Sequence, residues 1–225
     1  MSRPLVVFDM DGTLVDARAS YGEAVLRTVR HFTGREVSWE SVVTYKLQGG
    51  WNNDWDLCQR MAEDLGVPVS YASIVEAFDR ILLGEEALLS REVWIPDPGF
   101  LERLAETHGV AIFTGRSRRE AEITLGRSAP TVAFRAVVCA EDVATPKPAP
   151  EGLHRVRELA PGRDLLYVGD AVDDARSARA AGVPFVGVSL GDSPLSAEAA
   201  RALEREGAAV VLPNINLLEA LLEDR

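Results

Sequence analysis

Lysine is scarce in this chain: of 24 basic residues only two, Lys46 and Lys147, are lysine, and arginine fills the other basic positions. Positive charge of both kinds is outnumbered by 35 acidic residues, leaving a net charge of −11. A nucleic-acid backbone or an anionic membrane wants a basic face, so this balance argues against either as the main partner. Cysteine is equally sparse. Cys58 and Cys139 stand far apart and in no C-x-x-C arrangement, which argues against a zinc site and favours two buried, reduced thiols over a disulfide. The three histidines, His31, His108 and His154, are scattered in the same way. No apolar run reaches the ~18–20 residues of a membrane span, and no signal-peptide pattern precedes the first apolar segment. A cytoplasmic location is the expectation. Where arginine serves as the generic cation, the two lysines mark candidate sites for a compact ammonium in a tight pocket.

The 225 residues are 47% hydrophobic and 26% charged, a balance that suits one sizeable core or a core with a smaller lobe. Short and nearly continuous apolar runs occur at Leu5 to Phe8, Gly109 to Thr114, Ala136 to Cys139, Leu165 to Asp170, Pro184 to Val188 and Ala209 to Leu212. Such runs are the pattern of parallel strands covered on both faces. Helical segments alternate with them, around Phe100 to Thr107, Arg118 to Gly126, Glu151 to Leu159, Asp174 to Ala181 and Ser196 to Glu206. Strand alternating with helix predicts an α/β fold with a doubly wound, Rossmann-like core and a parallel sheet. The stretch between the first run and Trp94 breaks the rhythm. Apolar residues recur there at helical spacing, at Ala24, Val25, Val29 and Phe32 and again at Ile74, Phe78 and Leu82, with no convincing strand. The expected organisation is therefore a catalytic core of residues 1–16 and 95–225 and an inserted helical lobe of residues 17–94.

Four chemical signals stand at strand ends, where ligands gather in open α/β sheets. Asp9 and Asp11 follow the first run in Asp9-Met10-Asp11-Gly12-Thr13, with Gly12 freeing the backbone to turn. Two carboxylates side by side at the mouth of a buried strand need a cation or a shared proton, and a divalent metal is the expected compensation. Thr114-Gly115-Arg116 offers a hydroxyl and backbone N–H groups to an oxyanion. Lys147 sits between prolines just before a helix, and Gly169-Asp170-Ala171-Val172-Asp173-Asp174 brings carboxylates to where a strand meets the next helix. Asp173 reads as helix N-terminal charge favoured by the dipole.

In these four motifs, in their order and in the helical insertion directly after the first, the whole chain resembles the haloacid dehalogenase superfamily, in its phosphatase and phosphomutase branch with a helical cap. Phosphoglycolate-phosphatase-like members are the nearest pattern. The resemblance implies a Mg2+-dependent phosphatase that hydrolyses a small phosphorylated metabolite through an aspartyl-phosphate. Asp9 would be the nucleophile, and Asp11 would protonate the leaving group and then activate water. The Asp9 carboxylate, the Asp11 backbone carbonyl and Asp170 would hold Mg2+, with Asp174 orienting that shell. Thr114, Gly115 and Lys147 would hold the phosphate oxygens. Asp11 stands two residues after the nucleophile, where dehalogenases and phosphonate hydrolases are not expected to carry an acid/base carboxylate.

Substrate choice is expected in the cap, where helical rhythm breaks at Gly49-Gly50 and tryptophan and asparagine crowd together. Lys46, Gly50, Trp51, Asn52 and Asn53 are the candidates there, with Arg116 as a contact from the core side. Trp51 and Trp55, four residues apart, fit a helical core face equally well. A phosphomutase shares every motif and is the alternative enzyme. A receiver-like signalling domain or a non-catalytic phosphate-binding protein fits less well, because receivers lack a large cap and no catalytic residue is missing.

Overall fold

An apolar run with no polar interruption has to be covered on both sides, and parallel strands between helices provide that cover. The computed structural model describes residues 3–84, 87–191 and 193–223. Its strands, in chain order, are β1 (Leu5–Phe8), β2 (Val15–Asp16), β3 (Val93–Trp94), β4 (Val110–Phe113), β5 (Val137–Val138), β6 (Leu165–Gly169), β7 (Phe185–Val188) and β8 (Val211–Leu212). Six of them form one parallel sheet in the order β5-β4-β1-β6-β7-β8. The chain starts in the middle, winds outward to one edge, then returns and winds to the other. The order therefore reverses around β1, which opens a crevice beyond its C-terminal end.

β1 matches its apolar run, and the other strands of the sheet are shorter than theirs, leaving only two residues in each edge strand. Ala136 to Cys139 narrows to Val137–Val138 and Ala209 to Leu212 to Val211–Leu212. β5 and β8 each pair on one side only, so their ladders end where the single neighbour ends. The helical lobe was expected to lack strands, yet the segments by which the chain leaves and re-enters the core, β2 and β3, pair as a separate two-stranded sheet.

Two compact units result: Asp16–Val93, and the remainder of the chain. The first holds α1 (Glu23–Thr33), α2 (Trp39–Lys46), α3 (Asp54–Asp64) and α4 (Tyr71–Leu83). Each helix turns one stripe inward, and Val25, Val29, Leu57, Met61, Ile74, Phe78 and Leu82 meet in a core of their own. Ser38, Asn53 and Ser70 cap α2, α3 and α4 with side-chain oxygens.

The second unit adds α5 (Phe100–Thr107), α6 (Arg118–Ser128), α7 (Glu151–Leu159), α8 (Val172–Ala181), α9 (Pro194–Arg205) and α10 (Leu218–Glu223) around the sheet. Alternation of side chains sorts the two faces. Leu5, Val7, Ala111, Phe113, Leu165, Tyr167 and Phe185 pack with α7 and α8 residues Leu153, Val156, Ala175 and Ala178. Phe8, on the opposite face, meets Phe100 edge-on at 6.5 Å. Among the described residues no helix is long and apolar enough to cross a membrane.

α7 approaches the sheet at Gly152, where an added Cβ would fall 2.0 Å from the Phe113 ring. Gly152→Ala must push ring or helix aside, an overpacking cost of about 1–3 kcal/mol. Urea denaturation should show the lower midpoint with an unchanged slope; an unshifted midpoint would mean that this contact yields freely.

Candidate active site

Register brings the motifs to one level. Phe8 pairs with Ile112 on one side and Val168 on the other, so Asp9, Thr114 and Asp170 leave β1, β4 and β6 at the same end of the sheet. The Asp9 N–H still donates to the Val168 carbonyl at 2.9 Å, which keeps its side chain at the strand tip. Gly12 turns the chain with φ of +73°, and a Cβ there would lie 1.9 Å from the Asp170 carboxylate. Glycine is required both for that backbone conformation and for that close approach.

Lys147 is the hub. Its side chain is 1% exposed, and its Nζ lies 2.6 Å from Asp9 Oδ1 and 2.7 Å from Asp174 Oδ1. The Phe113 ring lies 4.8 Å from the ammonium and the Tyr167 ring 5.5 Å. The preceding loop is pinned by Glu151 at the start of α7, which accepts from the Ala144 and Thr145 N–H groups at 2.8 Å each. Ser177 of α8 donates to the Ala149 carbonyl at 2.7 Å on the other side. Burial alone would lower the Lys147 ammonium, but Asp174 and Asp9 outweigh it and hold its pKa above the ordinary lysine value. Burial pushes the Asp9 carboxyl up to about 7 against the pull of Lys147, with Asp174 and Asp11 adding to the rise.

Asp174 is the anchor of this hub and is fully buried. Its Oδ1 accepts from the Tyr167 hydroxyl at 2.8 Å as well as from Lys147, and its Oδ2 accepts from the Ala171 N–H at 3.1 Å. The last bond caps α8, which therefore begins at Val172, two residues ahead of the sequence expectation. Tyr167 was missed by sequence reasoning. Its signal was a hydroxyl inside an otherwise apolar run, three residues before Asp170. Asp173 occupies the first helical turn as expected, but it is buried.

The Thr114-Gly115-Arg116 loop ends in a capping box, with Ser117 and Glu120 each bonding the other's backbone N–H at the start of α6. Thr114 is buried, Gly115 exposed, and Thr114 Oγ1 accepts from the Arg116 N–H at 3.2 Å. The Arg116 side chain turns to Asp11: its Nε and Nη2 reach the two carboxylate oxygens at 2.9 and 2.6 Å. Arg118 points elsewhere, to Asp142 and to the Val137 carbonyl.

One oxygen each from Asp9, Asp170 and Asp174 lie within 4.8 Å of one another, an all-oxygen donor set suited to a hard divalent cation. Asp11 is outside that carboxylate group. In the helical unit, Lys46 pairs with Asp54 at 2.8 Å, Asn53 Oδ1 accepts from the Trp55 and Asp56 N–H groups, and Trp51 meets Tyr45 edge-on at 6.0 Å. Trp55 meets Phe78 edge-on at 6.5 Å, in the core of that unit. Gly50 and Asn52 stand in the irregular stretch between α2 and α3, Gly50 with φ of +83°.

Comparison with known proteins adds an independent line. The family model described as haloacid dehalogenase-like hydrolase matches residues 4–182. An imidazoleglycerol-phosphate dehydratase from Phytophthora nicotianae is 32% identical over 92% of this chain, and the chain spans about half of that protein's length, 49%. A phosphoglycolate phosphatase from Pseudomonas fluorescens is 28% identical over 83% of this chain and 70% of its own. Among solved structures, a conserved haloacid dehalogenase-like protein from Agrobacterium tumefaciens superposes with a TM-score of 0.77 at 22% identity, covering 99% of both chains. That likeness is one of fold.

The buried charge cluster can be tested for coupling without reference to activity. Lys147→Met leaves Asp9 and Asp174 facing each other without their shared cation and should cost about 3–5 kcal/mol of stability. Asp174→Asn introduced into that variant should restore part of the loss. A double-mutant cycle by chemical denaturation reads the coupling of Lys147 with Asp174, and simple additivity would show that these two groups act separately.

Proposed function

Since this chain belongs to the haloacid dehalogenase-like hydrolase family, we propose that it is a phosphatase that hydrolyses the monoester of a small phosphorylated metabolite. The observation that carries the reading is a buried carboxylate at a strand tip, Asp9, with the Lys147 ammonium at 2.6 Å and a second carboxylate, Asp11, two residues on. Asp9 Oδ attacks phosphorus as the ester P–O bond breaks, and the leaving oxygen takes a proton from Asp11. Water then attacks the aspartyl-phosphate while Asp11 takes its proton, and inorganic phosphate leaves with Asp9 regenerated. Thr114, the Gly115 N–H and Lys147 hold phosphoryl oxygens during both transfers.

The donor set fits Mg2+. Asp9 and Asp170 would hold the ion, together with the Asp11 carbonyl, while Asp174, both of whose oxygens are engaged by Tyr167, Lys147 and Ala171, orients Lys147 beside it. When bound, the ion supplies positive charge to the phosphoryl oxygens and favours the anionic form of Asp9, whose carboxyl burial otherwise holds up at about 7.

Phosphoglycolate-like esters belong in the first assays because of the relatives that carry that name. In the helical unit, Gly50, Trp51 and Asn52, in the irregular stretch between α2 and α3, are the residues we assign to substrate choice; Lys46 pairs with Asp54, and Asn53 caps the start of α3. A phosphomutase of the same superfamily is the second reading, since it requires the same four motifs; a bisphosphorylated intermediate or an isomerised product distinguishes it.

Phosphate release from a panel of phosphorylated metabolites should require Mg2+, stop in excess chelator and vanish in Asp9→Asn. Full activity in either the chelated enzyme or that variant sinks the mechanism. Asp170→Ala should raise the Mg2+ concentration needed for half-maximal rate. Trp51→Ala or Asn52→Ala should lower kcat/KM for the preferred metabolite roughly tenfold or more and leave 4-nitrophenyl phosphate nearly unaffected. Equal losses on both would move the search for specificity out of this segment.

A further inference from the structure

The sequence reading gave Arg116 to the substrate, but the structure engages its guanidinium otherwise. The side chain is 1% exposed, and its fork meets the Asp11 carboxylate edge to edge, Nε on Oδ2 at 2.9 Å and Nη2 on Oδ1 at 2.6 Å. The remaining arm, Nη1, donates to Thr124 Oγ1 of α6 at 2.8 Å, and the Arg116 backbone N–H donates to Thr114 Oγ1. The guanidinium is thereby tied to the end of β4, to α6 and to the first motif. Asp11 is the more exposed partner: its side chain is 36% exposed and it stands directly before the turn at Gly12.

A planar fork against a planar carboxylate fixes rotation as well as distance, which a lysine ammonium in the same place would not. Rotation is what proton transfer requires, because the acid must present one oxygen to the leaving atom at hydrogen-bond range. We propose that Arg116 is a positioning residue for Asp11, holding that carboxylate in the orientation from which it serves the leaving group, with Thr124 steadying the guanidinium from behind. The assignment rests on the phosphatase reading above. It replaces a contact with substrate by a contact with the acid and explains why an arginine in this loop is buried.

The test uses two generic esters that differ in leaving group, glycerol 2-phosphate and 4-nitrophenyl phosphate, with the full chain and Mg2+. Nitrophenolate needs little protonation, whereas the alkoxide needs a well-placed acid. Arg116→Lys should lower kcat on glycerol 2-phosphate by roughly tenfold or more, lower it on 4-nitrophenyl phosphate by less than about threefold, and leave both KM values nearly unchanged. In an Asp11→Asn background the same substitution should add no further selectivity, since the group it positions is gone. Equal losses on the two esters, or losses that add to those of Asp11→Asn, overturn the assignment. A rise in KM for both esters with kcat retained also overturns it and returns Arg116 to the substrate. If Arg116→Lys does not fold, Thr124→Val, which leaves the charge pair in place, must show the same selectivity in smaller measure, and equal losses there are equally fatal. Wild-type protein that releases phosphate from neither ester, nor from any of the metabolite panel, overturns the phosphatase reading and this assignment together. An active wild type with unselective Arg116 variants overturns this assignment alone.

Discussion

Everything at the centre of this protein depends on keeping one ammonium ion in a place without water. Lys147 is buried to 1% exposure, and desolvation on that scale is tolerable only because two carboxylates meet it at hydrogen-bond distance. That pairing constrains the fold around it. β1 must deliver Asp9 and β6 with α8 must deliver Asp174, while the loop before α7 must be pinned by Glu151 and Ser177 so that the lysine arrives between them. The aromatic rings of Phe113 and Tyr167 lie 4.8 and 5.5 Å from the ammonium. The scarcity of lysine agrees with this picture, since a guanidinium is too broad to replace the ammonium between two carboxylates at 2.6 and 2.7 Å.

The sheet does the gathering, and it was largely legible in advance. Leu5 to Phe8 and Leu165 to Gly169 are unbroken apolar runs, and a strand buried on both faces has no other composition open to it. The central strands agree with their runs to within a residue at each end. Edge strand β8 starts two residues late because its extent is set by its one neighbour rather than by its own sequence. The start of α8 was misplaced for a related reason: the residue that caps it, Asp174, had been read for its chemistry alone, although its carboxylate also closes the helix N-terminus.

The site was legible as a set of motifs and illegible as a network. Asp9, Thr114 and Asp170 announce themselves by residue type at strand ends, and Lys147 by its rarity and its place between prolines before α7. Pairing does not. Nothing in the order of residues says that Arg116 faces Asp11 across 105 positions, or that Tyr167 reaches Asp174 from within the strand. Lys46 shows the same gap from the other side, since a lysine set apart by rarity proves to be paired with Asp54 within the helical unit. Rarity marked both lysines; burial separates them, with Lys147 enclosed and Lys46 at 39% exposure.

Charge balance links these pairs to the proposed chemistry. Arg116 and Asp11 cancel. Lys147 is shared by Asp9 and Asp174, and Asp170 stands beside them, so the cluster carries two more negative charges than positive ones when all are ionised. Burial resists that excess, and the raised Asp9 carboxyl is its visible effect. A phosphate monoester adds further negative charge to the same place and cannot be accommodated by Lys147 alone, two of whose three donors already face Asp9 and Asp174. One divalent cation would remove the excess, and the Asp9 and Asp170 oxygens would offer it hard ligands where the charge is concentrated. A second lysine would neutralise only half of it. The electrostatics of the site thus support the proposed Mg2+ before any step of catalysis is considered.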